Sequence, residues 1–437
     1  MSKIKTPKIK SLPTKSLYTH CDLSSLNFKT TEELTELEQI AGQERALEAL
    51  QFGVSIKRDG YNLFVMGPSG MGKCSTIRQY LEQQAADAPA PDDWCYVNNF
   101  DNSQKPEALR LPAGKGKVLR QDTRELMEDL VSVLTSAFGS EQYQMQSEEI
   151  GEDLTERREQ ALKELIEEAR SHDIHLLKTP RGFSFEPMIK GNVLKPEEFV
   201  HLTEEKRRHI EEITAVLQEK LDLIIRQFHQ WKRETRKKIR ELNRQVAKSA
   251  VGVLIDDFKK EYDDIPSVCE YIEKLRKDVF EHAYEFLAVG EASSAEGAVP
   301  TDAEIFDRYE INLLVDNSEQ KGLPVIYEDS PTLDKLLGRV EHIAQMGTLI
   351  TDFKLIKPGD LHKANGGYLI LGIDKLLRQP YAWESLKRAL TDHEVEIQAL
   401  GQMLGLISTI SLKPEPILLD IKVVLLGERR LFYLLCE

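Results

Sequence analysis

The sequence predicts an α/β fold, a P-loop parallel sheet interrupted by a long antiparallel helical (coiled-coil) insertion that bears a small β hairpin. Three observations carry this prediction. The apolar strand Tyr61-Asn62-Leu63-Phe64-Val65-Met66 runs into Gly67-Pro68-Ser69-Gly70-Met71-Gly72-Lys73, the spacing of a loop that cradles phosphates on backbone amides. Between Ile210 and Val246, apolar residues recur every three or four positions with charges between them, which is the seam of packed helices. After residue 300 the runs RYEINLLVDN, LPVIYE, GGYLILGI and IKVVLLGE are β-rich and mostly bounded by Gly, Pro or Asn, so strand character returns.

The elements follow in order. Residues 1–30 are polar and basic and read as an N-terminal arm. Residues 31–120 form the first part of the P-loop domain. They hold a helix through EELTELEQIAGQERALEALQFGVSI, the loop strand, a helix from about Gly72 to Gln84, and a second strand, WCYVNNF, expected to join a mainly parallel sheet. Residues 121–300 form the helical arm. Its first helix is linked to its second by IHLLKTPRGFSFEPMIKGNVLKPEEF, which alternates and turns as a hairpin would. GEASSAEGAVPTDAE is a linker, and residues 301–437 form the second part of the P-loop domain, expected to stop before its small helical lid. Because the arm leaves and re-enters the sheet at nearby points, it is expected to be separable.

Composition narrows the function. The 437 residues carry a formal charge of −15, which argues against a general nucleic-acid surface. WKRETRKKIR (231–240) is a local basic run, read first as a solvated helix face. Five cysteines without a C-x-x-C pair suit reduced thiols. No signal peptide or bilayer-spanning stretch is present, so a cytoplasmic location without membrane contact is expected. His172 and His175 have the spacing of a metal pair but no third ligand nearby.

The chemistry centres on the loop. Gly67, Pro68, Ser69, Gly70, Met71 and Gly72 would turn amides onto the phosphates, and Lys73 would reach the terminal ones. Cys74 stands where a Ser or Thr hydroxyl would ligate Mg²⁺, and a thiol is a poor ligand for that hard cation. Ser75 points about 100° away around the helix and does not substitute. The partner strand Tyr368-Leu369-Ile370-Leu371 ends in Gly372 where an aspartate is expected, leaving Asp374 as the candidate metal ligand, with an N-cap role as its plainer reading. ATP binding is therefore expected to survive, and Mg²⁺-assisted hydrolysis to be weakened.

The stretches IAGQERALEALQFGVSI, GPSGMGK, DWCYVNNFDNSQKPEALRLPAGKGKVLRQD, HKANGGYLILGIDKLLRQPYAW and IKVVLLGERRLFYLL together resemble the bacterial Lon-related ATP-dependent proteases. The resemblance implies an AAA+ ATPase module with a helical insertion, followed in the family by a Lon-type serine peptidase domain. It implies that Ile40, Gly42 and Gln43 flank the adenine, that residues 67 to 73 hold phosphates, and that the strand end near Glu428 acts as a γ-phosphate sensor. The family's Ser-Lys dyad lies beyond Glu437, so no catalytic residue is assigned here. Implied partners are unfolded or damaged proteins and further copies of the chain in a ring. Two other readings stand beside it: a degenerate relative that binds without hydrolysing, and a coiled-coil chromosome-maintenance ATPase.

Overall fold

The computed structural model describes residues 11–18, 21–33, 44–56, 58, 60–179, 182–189, 192–193, 203–286, 304–345, 348–398 and 412–436. The chain divides into two units, Met1–Tyr61 and Asn62–Glu437. In the first, short 3₁₀ turns precede helix α1 (Glu44–Ser55). The Asp22 carboxylate accepts from the Ser24 amide at 3.0 Å and caps one of those turns.

The second unit begins with β1 (Leu63–Met66), α2 (Lys73–Ala86), β2 (Asp93–Val97) and β3 (Glu107–Leu111). Helices α3 (Lys115–Phe138) and α4 (Glu141–Ser171), strands β4 (Ile174–Thr179) and β5 (Gly182–Ile189), and helices α5 (Glu204–Lys260) and α6 (Pro266–His282) follow. Strands β6 (Asn312–Val315), β7 (Val325–Glu328) and β8 (Tyr368–Gly372), helix α7 (Ala382–Asp392), strand β9 (Lys422–Gly427) and helix α8 (Arg429–Cys436) complete it. The linker near 290–303 lies outside the described residues. Among the described residues no helix is long and apolar enough to cross a membrane, and none of the five cysteines forms a disulfide.

The parallel sheet has four strands in the order β1-β9-β8-β7, with every pairing parallel. Leu369, Leu371 and Val423 bury one face against Leu333, Leu336, Leu376 and Leu386. Helix α2 packs on β7 and β8, turning Ile77, Leu81 and Ala85 inward at the three-to-four spacing of a helix face. Close approach at two points needs glycine. A Cβ on Gly322 would lie 2.1 Å from the Ala85 carbonyl oxygen, where the chain passes the end of α2. One on Gly427 would lie 2.5 Å from Ile373 Cγ2 and 2.8 Å from Phe64 Cζ, between β1 and the end of β8.

Strand β2 does not join that sheet. The run WCYVNNF instead pairs antiparallel with β3 and β6 in a separate three-stranded sheet, so the expectation that it extends the parallel sheet is corrected. The physical reason is double-sided burial. Cys95 and Val97 face the helices while Trp94 and Tyr96 face Phe353, Ile356 and Ile417, and a strand covered on both sides carries the continuous apolar run of a parallel one. Asp93, fully buried, accepts from the Gly116 amide at 2.9 Å and the Asn317 amide at 2.8 Å. The glycine-rich turn at 113–117 is thereby tied to the start of α3, with Gly114 at φ 80° as its cap.

Helices α4 and α5 run antiparallel. Tyr143 bonds Asn243 at 2.9 Å, Asp153 meets Lys238 at 2.9 Å, and Glu168 pairs with Lys220. At the far end Leu165, Ala169, Leu217 and Leu221 pack with Ile174 and Leu176 of the β4-β5 hairpin. At the near end Ala247, Val251 and Ile255 of α5, with α3 and α6, share one core with Cys95, Val97, Leu109 and Leu111. The base of the helical region is thus part of the small sheet's core, against the expectation that the whole region is separable. Replacing only the stretch between Asp153 and Lys238 by a short Gly/Ser turn is expected to leave cooperative thermal unfolding intact. Replacing 125–300 is expected to abolish it, because the inner face of β2 and β3 is then left uncovered. Circular-dichroism melts distinguish the two outcomes.

His362, just before β8, is almost fully buried. Its Nδ1 accepts from the Gly359 amide at 3.2 Å, and burial lowers its pKa from 6.5 to about 3. The unfolded chain then binds a proton that the folded chain refuses, so stability is present above pH 6.5 and falls as pH drops toward about 3. Neighbouring Asp360, pushed up by its own burial, opposes this at the acid end. His362→Asn, which keeps an acceptor for Gly359, is expected to flatten the fall in melting temperature between pH 7 and pH 4 relative to the parent chain.

Candidate functional site

All four parallel strands end on one edge. Met66 lies opposite Gly427, Gly372 opposite Leu426, and Leu371 opposite Glu328. Beyond that edge lies a cavity of about 1230 Å³ lined by residues 69 to 75 of the loop, by Gly372 at the end of β8 and Asp374 just after it, and by Glu428 after β9. Ligands of open parallel sheets bind at this edge, where strand ends, loops and helix N-termini converge. The structure therefore brings together Ser69, Gly70, Met71, Gly72, Lys73, Cys74, Ser75, Gly372, Asp374 and Glu428. Ile40, Gly42 and Gln43 lie outside the described residues.

Local rules explain the loop. Gly70 and Gly72 adopt φ of 82° and 71°, the left-handed region open to glycine, and Gly72 caps α2. The Gly67 amide donates to the Gly427 carbonyl at 3.1 Å, which ties the loop to β9. Lys73 folds back so that its Nζ donates to the carbonyl oxygens of Gly67 at 2.6 Å and Pro68 at 2.5 Å. The ammonium is held at the loop by acceptors that phosphate oxygens can replace. Ser75 Oγ donates to the Gly72 carbonyl at 2.8 Å, so it serves the helix start.

The residues around Cys74 do not form the oxygen cage that Mg²⁺ prefers. Burial pushes the Cys74 thiol up and keeps it protonated, partly offset by the charge of Arg78. The Tyr327 hydroxyl, pushed up to about 12 by burial, donates to Asp329 at 2.9 Å. Asp329 also pairs with Lys375, whose hydrogen bond holds that carboxyl below the ordinary range. Asp374 is not an N-cap. Gly372 occupies that position for the short helix Ile373–Leu376 and Asp374 sits in its first turn, with its Oδ1 3.4 Å from where a Cβ on Gly372 would lie. One carboxylate therefore faces the place of the missing side chain, accompanied by a neighbouring ammonium and a neutral thiol.

Five lining residues, Arg78, Tyr327, Lys375, Arg378 and Arg430, were not identified as site residues from the sequence. Two signals were available: Arg78 lies four residues after Cys74 on the same helix face, and Lys375 follows Asp374. Arg430 and Tyr327 arrive only through long-range strand pairing. Elsewhere, His172 and His175 belong to no metal-binding group among the described residues. The basic run at 231–240 lies beside acidic α4 and is partly neutralised by it, as in the Lys238–Asp153 pair.

A parallel α/β sheet carrying a phosphate loop at its C-terminal edge defines the class of P-loop nucleotide-binding proteins. Within that class, residues 321–437 match the family model of the LonB-like AAA domain, and residues 93–126 match that of the Lon-like LonC helical domain. The first match covers β7, β8 and β9; the second covers β2, β3 and the start of α3. Together they support a Lon-related family for the chain. No curated protein matches the chain.

The site yields a direct test of its metal chemistry. Cys74→Ser with Gly372→Asp is expected to tighten Mg·ATP binding by about tenfold or more, with each single change giving less, because both act on one ion. Residue 372 has room for the new side chain, since the nearest atoms to its Cβ lie at 3.4 to 3.7 Å. Lys73→Ala is expected to abolish binding in either background. Titration calorimetry reads both effects.

Proposed function

We propose that this chain is the nucleotide-binding AAA+ portion of a Lon-like ATP-dependent protease, in which ATP occupies the loop cavity and couples its binding to the handling of unfolded polypeptide by a ring of identical chains. The observation that carries the reading is the cavity itself, with Lys73 poised on exchangeable carbonyls and a phosphate loop between β1 and α2. Residues 67 to 73 would hold the phosphates. The matches to LonB-like and LonC-type families support the setting. The antiparallel α4-α5 pair and its hairpin, read as a coiled-coil insertion, would reach outward to admit substrate. A second hairpin, Ile343–Gln345 with Thr348–Ile350, keeps Ile343, Leu349 and Ile350 exposed. That exposed apolar strand surface suits the apolar side chains of an unfolded chain.

Cys74 and Gly372 favour a particular form of this reading, in which nucleotide binding rather than hydrolysis sets the state of this chain. The 437-residue chain is expected to bind ATP while releasing phosphate at background. It is also expected to retain reduced, unfolded casein more strongly with ATP than without, and Lys73→Ala is expected to remove that difference. Leu349→Ser is expected to weaken casein retention and leave ATP affinity unchanged. Phosphate release well above background that Lys73→Ala abolishes would contradict the non-hydrolysing form. Casein retention indifferent to both ATP and Leu349 would contradict the coupling.

A further inference from the structure

We infer that the loop cavity takes the phosphates of a nucleoside triphosphate free of any divalent cation, with Lys375, Arg78 and Arg430 supplying the positive charge that a metal ion otherwise brings. The inference rests on the nucleotide-binding reading and deepens it.

The charge inventory is the first argument. Lys73, Arg78, Lys375, Arg378 and Arg430 line the cavity, against the two carboxylates Asp374 and Glu428. A protein with a formal charge of −15 thus gathers an excess of positive charge at one strand edge. Such a focus attracts polyphosphate and repels a dication. Arg378 and Arg430 make no ion pair among the described residues, so their guanidinium groups are available to phosphate oxygens, which they bind in bidentate fashion. Arg78 shares its charge with Glu82 at 2.7 Å on an exposed helix face, a contact that competes only weakly with a phosphate at the loop.

The second argument is what surrounds the metal position. Mg²⁺ is held in such sites by a hydroxyl, a carboxylate, water and phosphate oxygens. Here the hydroxyl is replaced by a neutral thiol and the carboxylate at 372 is missing. Cys74 lies in the electrostatic field of two cations, Arg78 and Lys375, and of the Asp329 carboxylate paired with Lys375. Lys375 is drawn over by Asp329 from the strand beside β8, so its side chain is anchored toward the cavity. Asp329 thus draws the Lys375 ammonium toward the place of the metal, in a pair exposed to solvent. A free triphosphate carries about two more negative charges than its magnesium complex, and the lining cations oppose that added charge.

Titration calorimetry on the full 437-residue chain tests this, with ATP in EDTA, Mg·ATP, and inorganic tripolyphosphate in EDTA as probes. Free ATP is expected to bind at least as tightly as Mg·ATP, and tripolyphosphate to compete with it. Lys375→Gln is expected to shift the ratio of the two affinities toward Mg·ATP by about tenfold, an effect that loss of a structural contact does not produce. Asp329→Asn, which removes the partner but leaves the ammonium, is expected to retain free-ATP binding within about threefold. Mg·ATP binding about tenfold or more tighter than free ATP, or a ratio unmoved by Lys375→Gln, overturns the inference while the nucleotide reading stands. Failure of both ATP forms to bind overturns the two together.

Discussion

Strand β9 lies between β1 and β8, and the site depends on that placement. Its end, Gly427, receives the Gly67 amide and leaves room for Phe64 and Ile373, so the phosphate loop is fixed against the end of β8 by backbone contact. A side chain at 427 would push into Phe64 and Ile373 and open the edge where the cavity forms. The cations from α2, from the turn after β8 and from the start of α8 meet there because three strands stop level with one another.

The same edge shows how local chemistry and long-range pairing divide the work. Lys73, the glycines and the cap at Gly72 are consequences of a short contiguous sequence, and they form a phosphate cradle whose turn is set by left-handed glycines. What the cradle can hold is decided by residues from elsewhere. Cys74 contributes no oxygen, Gly372 contributes nothing, and Lys375 arrives paired with Asp329. On the reading proposed above, a P-loop with this geometry is separated from the metal chemistry that usually accompanies it.

This division also governs what could be read in advance. The strand at Leu63–Met66, helix α2, strands β8 and β9 and the hairpin β4-β5 were legible because each has its own period and its own boundary residues. Strand β2 was legible as a strand but not in its partner, since Trp94, Cys95, Tyr96 and Val97 are buried on both faces and such a run looks alike in either kind of sheet. The helical region was legible in period and charge. That Ala247 to Ile255 belong to the core of β2 and β3 is a contact between segments about 150 residues apart, which no local pattern records. At the site, the metal defects at Cys74 and Gly372 were visible from motif spacing. The lining arginines Arg378 and Arg430 were not, because an arginine in a helical stretch reads as solvated surface until the fold turns it toward a cavity.

The central claim is that phosphate binding and divalent-metal binding oppose each other in this cavity, and linkage makes that measurable from the metal's side. Mn²⁺ is a hard ion that takes the same oxygen ligands as Mg²⁺ and is seen by electron paramagnetic resonance when free in water. Adding the chain to Mn·ATP at limiting Mn²⁺ should raise the free-ion signal, because the protein withdraws ATP from its metal. A fall in that signal on adding protein, absent in Lys73→Ala, would mean that the cavity holds the metal with the nucleotide and would contradict the account.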